Sequence, residues 1–343
     1  MTTSTGPTTE VTLLTRDGAK LTLSCRENET ILAAAEAAGY TLPAICRSGI
    51  CGLCHARVTK GRYRMGSYIG AALPRTDSGQ VLLCRCTPQE NVSVELPYDE
   101  AQIQRQKDVP VRTAVIESLQ PAWTDAMALT LRLTPDANLG IAVDFCPGQY
   151  MELTIPWTYT RRPYTLVNLP NWEGRLDFLI RLRPGGAFST WLRERAAVGD
   201  TLTVRGPLGD FVLDETSLRP RCMIGDGCGL SPVLCMLRHM AEFQDSQPVH
   251  LIVGASRESE LLPAEEIARL QQAMPQLGVT LAVSQPESGW TGFTGNPAEA
   301  LSAYLAKNSE HPDLYVCGPP NMIEAVEAVA QQHGLDRVIA ERL

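Results

Sequence analysis

Four cysteines constrain this chain more than any other feature. Cys46, Cys51 and Cys54 stand close together in Cys46-Arg-Ser-Gly-Ile-Cys51-Gly-Leu-Cys54, and Cys84 follows far downstream. Any fold must bring that distant residue back to the loop. The C-x4-C-x2-C…C spacing is that of a plant-type [2Fe–2S] site. Two irons need four thiolates, so a tight loop supplies three and a remote segment supplies the fourth. Gly49 and Gly52 let the loop curl and aim N–H groups at the sulfurs. A zinc site would pair two short hooks, whereas here a triple hook meets a lone partner. Cys86 lies two residues beyond Cys84, and in a strand both would point the same way, so register decides between them. His55 adjoins Cys54 and reads as an ordinary loop residue, since four cysteines suffice.

Eleven cysteines with no export signal fit metal ligands or buried apolar residues in a reducing cytoplasm better than disulfides. The 343 residues predict two or three domains, with 44% hydrophobic and 20% charged residues as in a globular protein. A formal net charge of −8 argues against a nucleic-acid partner. No apolar run reaches the roughly 20 residues that would span a bilayer, so no membrane insertion is expected.

By texture the chain divides into a disordered tail (1–9) and three blocks: 10–105, 106–217 and 218–343. The first alternates strand-like residues at 11–14 and 21–24, followed by an Ala-rich helix at 31–38 closed by Gly39. Short strands follow the cysteine loop, and the polar stretch 99–108 reads as a linker. The second block has strand-like runs at 111–116, 128–133, 150–155, 176–181 and 201–205, suggesting a small antiparallel barrel. In the third block, strands near 222–224, 250–253, 280–283 and 314–317 alternate with helices such as 232–242 and 321–332. That alternation indicates a parallel α/β sheet.

Three further motifs carry chemistry. In Arg162-Pro-Tyr164-Thr165, the guanidinium suits a pyrophosphate, the ring suits stacking, and the hydroxyl suits hydrogen bonding at a flavin edge. Alone, these residues fit an exposed Arg and a packed Tyr equally well. Gly185, Gly186, Ser189 and Thr190 offer freed amides and hydroxyls opening a helix over 190–197, an anion site. Gly225-Asp-Gly227-Cys-Gly229-Leu-Ser231-Pro232 runs from strand to helix, with glycines for close approach to a pyrophosphate, Ser231 as a cap and Pro232 in the first turn. Cys317-Gly318 ends another strand.

Together these segments resemble the reductase components of bacterial multicomponent oxygenases over essentially the whole chain. Residues 10–98 look like a plant-type ferredoxin, and the resemblance places Cys84 as the fourth ligand. Arg162 to Thr165 resembles the R-x-Y-[ST] motif of the ferredoxin-reductase superfamily, with Pro147-Gly148-Gln149 upstream and Gly206-Pro-Leu-Gly209 downstream in keeping. The branch carrying that motif implies FAD. The glycine turn resembles G-G-x-G-[IL]-[AS]-P, except that Asp226 replaces a glycine and brings a carboxylate beside a pyrophosphate. Cys317-Gly318-Pro-Pro-Asn-Met322 resembles the C-G-P-x-x-M motif that sets a thiol beside the nicotinamide. The implied fold is multidomain α+β and α/β: a β-grasp ferredoxin, an antiparallel β-barrel FAD domain and a parallel α/β nucleotide-binding domain. Many relatives end with an aromatic residue after a glutamate. Here Glu341 stands before Arg342-Leu343, and the aromatic is absent.

The resemblance implies hydride transfer from a nicotinamide nucleotide to the flavin, with Thr165, Cys317 and Glu341 shaping the pocket, then single-electron steps to the cluster. Glu260 favours NADH through a ribose, whereas Arg257 could meet the 2′-phosphate of NADPH. The expected acceptor is an oxygenase component, diiron monooxygenase or Rieske dioxygenase, or its ferredoxin, served by a monomer. A reductase for deoxysugar dehydration or a redox-sensing binding protein would be the alternative.

Overall fold

A computed structural model describes residues 8–73, 79–105, 109–123, 125–261, 264–308 and 311–342. They fall into two compact units, one within residues 1–110 together with Arg342 and one within 111–341.

In the first unit, β1 (Thr8–Leu14) and β2 (Lys20–Arg26) form an antiparallel hairpin whose alternate residues Val11, Leu13, Leu23 and Cys25 are buried. Helix α1 (Ile31–Ala37) packs Ile31, Leu32 and Ala35 into the same core. The Thr30 hydroxyl caps it by accepting from the Ala33 amide at 3.3 Å, and Gly39 turns the chain away at φ +86°. β3 (Tyr40–Thr41) precedes the cysteine loop. β4 (His55–Lys60), β5 (Tyr63–Met65), β6 (Gln80–Leu82), β7 (Cys86–Pro88) and β8 (Val92–Glu95) follow. The main sheet is mixed, in the order β2-β1-β8-β4-β6, with β1 and β8 parallel.

Two expectations change here. The expected tail over 1–9 ends sooner, because Thr8 and Thr9 already pair in β1; residues 1–7 lie outside the described residues. The polar stretch read as a linker is fastened to this unit as far as Arg105. Asp99 takes two hydrogen bonds from Arg16, at 2.9 and 2.7 Å, and caps a 3-10 turn with Gln102. β9 (Gln104–Arg105) then pairs with β3. Polarity suggested exposure; the same groups find partners on the domain.

The second unit opens with β10 (Val111–Trp123), β11 (Ala126–Leu133), β12 (Tyr150–Thr154), β13 (Arg161–Thr165), β14 (Arg175–Arg181), α2 (Ala187–Glu194) and β15 (Thr201–Leu208). The strands form an antiparallel sheet, β13-β12-β15-β10-β11-β14. A bridge between Leu166 and Phe178 joins the chain just beyond β13 to β14. Leu129, Leu131, Leu153, Leu176 and Phe178 face inward, with Phe188 and Leu192 of α2 packed against them.

The chain continues through β16 (Arg221–Asp226), α3 (Leu230–Glu242), β17 (Val249–Ala255), α4 (Ala264–Ala273), β18 (Leu277–Val283) and β19 (Phe293–Thr294). It ends with α5 (Pro297–Leu305), β20 (Asp313–Gly318), α6 (Pro320–Gln332) and β21 (Val338–Arg342). The sheet order is β19-β18-β17-β16-β20-β21, and the pairs from β19 through to β20 are parallel. The strands β16, β17 and β20 are buried nearly throughout, as helices on both faces require. Specific bonds join the two sheets of this unit: Arg238 of α3 donates to the Val167 carbonyl at 2.9 Å, and the Tyr315 hydroxyl accepts from the Asp214 amide at 3.0 Å.

Candidate functional site

The cysteine loop between β3 and β4 has little regular structure, and its backbone amides are spent on sulfur. The amides of Ser48, Ile50 and Cys51 donate to Cys46 Sγ at 3.5, 3.3 and 3.3 Å. The Gly49 amide serves Cys84. Gly52 is held at φ +76°, and a Cβ there would meet the Ala72 carbonyl oxygen at 2.7 Å. Among the described residues, no three ligand-type side chains converge as they would on a single ion. The sulfurs stand instead as two hydrogen-bonded pairs, Cys46 with Cys51 and Cys54 with Cys84. Within each pair one sulfur accepts a hydrogen bond and is favoured as thiolate. That holds Cys46 and Cys84 below the usual thiol value, while Cys51 and Cys54 are pushed up. Two thiol pairs fit a two-iron cluster, in which each iron takes two thiolates.

Cys84 and Cys86 do not share a strand. Cys84 sits in the turn between β6 and β7, whereas Cys86 begins β7 and points into the core beside Cys25. Burial pushes the Cys86 thiol up to about 12. His55 begins β4, and its Nδ1 lies 3.2 Å from the Gly52 carbonyl oxygen.

In the second unit, Arg162 and Tyr164 alternate along one face of β13, opposite Leu153 and Met151 of β12. Arg162 is exposed. The Tyr164 ring stacks obliquely on Phe188 with centroids 4.9 Å apart, and burial raises its phenol. Thr165 is buried opposite Tyr150. Gly185 and Gly186 lead into α2, which begins at Ala187 rather than Thr190. Gly186 is its N-cap, and no side chain caps the first turn. Ser189 is turned inward, where its hydroxyl accepts from the Arg183 amide at 2.9 Å, and the Thr190 amide donates to the Gly186 carbonyl at 2.8 Å.

The glycine turn lies at the C-terminal ends of the parallel strands. A Cβ on Gly225 would meet Leu230 at 2.7 Å, and one on Gly229 would stand 2.2 Å from the Cys317 carbonyl oxygen. Side chains there would push the turn off β20. Helix α3 starts earlier than expected, at Leu230, with Gly229 as N-cap, so Ser231 does not cap it. The Ser231 hydroxyl and the adjacent Pro232 are buried, and among the described residues the hydroxyl has no hydrogen-bond partner.

Gly227 and Asp226 line a small open cleft with Asp125, Arg181, Cys228 and Glu260. Arg181 donates to Asp125 at 2.6 Å. Burial lifts the Asp226 carboxyl to about 6, against the pull of Arg181 and with the push of Glu260. Glu260 accepts from the Ser256 amide at 3.2 Å. Cys317 is fully buried, and burial, with Glu341 and Cys228 nearby, holds its thiol well above the usual value. Gly318 packs on Met322. Glu341, on β21, is also buried. Desolvation and then Asp210 raise its carboxyl to about 8, and among the described residues its Oε2 has no hydrogen-bond partner.

Three family models match successive parts of the chain. Residues 14–89 match the 2Fe-2S iron-sulfur cluster binding domain, 115–213 the oxidoreductase FAD-binding domain and 223–328 the oxidoreductase NAD-binding domain. Methane monooxygenase component C of Methylosinus trichosporium is 34% identical over 298 residues, 86% of each chain. The anthranilate 1,2-dioxygenase electron transfer component of Acinetobacter baylyi is 34% identical over 314 residues, 91% of this chain and 90% of that one. The chain belongs to the oxygenase reductase-component family. A solved relative, the cytochrome P450 reductase of Amycolatopsis, superposes with a TM-score of 0.71 at 25% identity, over 97% of this chain and 98% of its own.

As a member of this reductase family, the chain is an oxidoreductase whose cofactors are a [2Fe–2S] cluster, FAD and a nicotinamide nucleotide. No helix among the described residues is long and apolar enough to cross a membrane. The sequence reading missed two features of the reductase. Glu152, wholly buried in β12, accepts from Arg205 of β15 at 2.7 Å and lies 3.5 Å from Arg161. A carboxylate inside the apolar run Tyr150-Met-Glu-Leu was the available signal. Tyr150 itself contacts the backbone at Gly209, near Glu341.

Proposed function

We propose that this reductase takes electrons from NADH and delivers them one at a time to a terminal oxygenase, or to a ferredoxin that serves one. The arrangement of sulfurs as two pairs, on the same chain as a nucleotide cleft, carries this reading. A nicotinamide gives two electrons together, and the paired thiols suit a carrier of one. When bound, FAD supplies the conversion between two-electron and one-electron transfer.

In this reading Cys46, Cys51, Cys54 and Cys84 hold the irons, and the loop amides compensate the charge on sulfur. Arg162 and the open first turn of α2, with Gly185 and Gly186, hold the flavin's phosphates. Tyr164 lies against the ring system, and Thr165 reaches its edge. The inward turn of Ser189 suits a role in shaping that loop. Gly225, Gly227 and Gly229 admit the nucleotide pyrophosphate, and Cys317 and Gly318 bound the nicotinamide side. Glu341, held neutral near pH 7, keeps a proton within the site. The three carboxylates around Arg181 favour a ribose diol over a 2′-phosphate, which supports NADH over NADPH.

The finer architecture belongs to the same proposal: a β-grasp ferredoxin domain, and an antiparallel barrel closed through the Leu166–Phe178 bridge. Domains over 10–105, 106–217 and 218–343, a monomeric state and a cytoplasmic location complete it. Steady-state oxidation of NADH and NADPH with a one-electron acceptor tests the reading. It expects a kcat/KM at least about tenfold higher for NADH, and no turnover with either nucleotide would refute it.

A further inference from the structure

The chain as a whole is acidic, yet the surroundings of its cluster loop are not. Between Glu36 and Asp77 the sequence carries no Asp or Glu, and over the same stretch it carries Arg47, Arg57, Lys60, Arg62, Arg64 and Arg75. Arg85 follows beside Cys84, before the next carboxylate at Glu90. Two of these cations are neutralised, since Arg47 pairs with Glu36 and Arg62 with Glu90. Among the described residues, Arg64 and Arg85 pair with no carboxylate. Arg64 is exposed and donates to the Asn28 amide oxygen at 3.2 Å, and Arg85 donates to the Ser67 carbonyl at 2.8 Å.

The segment 66–71 lies against this loop. The Ile69 amide donates to the Gly49 carbonyl at 3.0 Å, and a Cβ on Gly49 would touch Tyr68 Cβ at 2.8 Å and Arg85 Cγ at 3.0 Å. Every residue of 66–71 is exposed, and the side chains of Tyr68 and Ile69 keep 44% and 43% of their surface in water. Tyr68 and Ile69 are thus displayed beside the Arg85 guanidinium, with the exposed Arg64 a few residues away along the chain. An apolar centre with a charged rim has the make-up of a transient protein interface.

We propose that Tyr68, Ile69, Arg64 and Arg85 form the surface on which the electron acceptor docks, and that the acceptor presents an acidic face to it. The inference rests on the proposed electron path and adds the place and the charge of the partner. Opposite charges steer encounter, and the apolar centre is buried on contact. Like charge on a basic partner slows encounter at this surface. The chain's overall acidity works the other way at long range, so the local sign decides only for partners that reach the rim.

Two cytochromes c that differ only in charge test it: the native basic protein and its succinylated, acidic form. Each NADH oxidised to NAD+ and a proton reduces two ferric haems. With the holoenzyme at about 0.1 M ionic strength, where the long-range repulsion is screened and contacts at the rim are not, the acidic cytochrome is reduced on the order of tenfold faster, and about 0.5 M salt removes the advantage. Arg64→Glu and, separately, Tyr68→Ser with Ile69→Ser lower the rate with the acidic cytochrome several-fold. They leave NADH-to-ferricyanide turnover and NADH bleaching of cluster absorbance unchanged. Equal rates for the two cytochromes, or a faster native one, overturn the proposal. So does slower cluster bleaching in either variant, which would mean that the surface serves the chain's own flavin unit. If NADH bleaches no cluster absorbance in the wild type, the electron path is wrong and the docking surface falls with it.

Discussion

The glycine turn after β16 and the thiol-bearing end of β20 are in backbone contact: a Cβ on Gly229 would stand 2.2 Å from the carbonyl oxygen of Cys317. Nothing larger than a hydrogen fits, and the obstacle is main chain rather than a flexible side chain. We predict that Gly229→Ala pushes the turn and the strand end apart and weakens NAD+ binding at least about tenfold, some 1.4 kcal/mol. Cluster absorbance persists, because the cysteine loop belongs to the other unit. Titration of NAD+ by calorimetry checks this, and unaltered affinity would contradict it.

Glu341 titrates across the working range of pH. Its carboxyl is raised to about 8 in the folded protein by desolvation and by Asp210. A carboxyl raised on folding favours the protonated state, so its contribution is intact below the unfolded value and is lost as pH rises toward and past 8. Glu341→Gln, which stays neutral, therefore gains on the wild type with pH. We expect its Tm to exceed that of wild type by roughly 3–5 °C more at pH 8.5 than at pH 5. A parallel pair of Tm profiles would remove Glu341 from the site's proton economy.

Asp226 makes a separate prediction, because its carboxyl is raised to about 6 beside Glu260 and Arg181. Above that pH it is charged and repels a pyrophosphate; below it, the repulsion fades. Wild-type affinity for NAD+ should tighten several-fold between pH 7.5 and 5.5. Asp226→Asn should bind as tightly as low-pH wild type at both values. Affinity insensitive to pH in the wild type would place the carboxylate outside the nucleotide's reach.

The cysteine pair Cys84 and Cys86 separates ligand from core. Cys84→Ser should lose the visible absorbance of the cluster and keep NADH-to-ferricyanide turnover through the flavin. Cys86→Ala removes a buried sulfur beside Cys25, at a cost of about 1 kcal/mol, with the spectrum kept. The reverse pattern would exchange their roles.

How much of this was legible depends on how local each signal is. Three of the four thiols lie in one short loop, so Cys46, Cys51 and Cys54 announce themselves by spacing. Spacing alone did not choose between Cys84 and Cys86; the family resemblance pointed to Cys84, and strand alternation gave no help because the turn after Leu82 breaks it. Helix starts moved for a related reason. Ser231 looks like a cap, yet the Gly227–Gly229 turn winds directly into α3 and carries the hydroxyl inside. The Glu152–Arg205 pair joins residues 53 apart whose meeting depends on strand register, which no local pattern encodes. Asp99 was read as linker because its partner, Arg16, lies 83 residues away.

The central claim is that electrons pass from nucleotide through flavin to cluster within one chain. Anaerobic titration of the purified holoprotein with NADH, followed by visible and electron paramagnetic resonance spectra, tests it most directly. The account predicts bleaching of both flavin and cluster absorbance, with full reduction at about three electrons per chain, two for the flavin and one for the cluster. Bleaching of the flavin alone, with the cluster left oxidised at excess NADH, would contradict it.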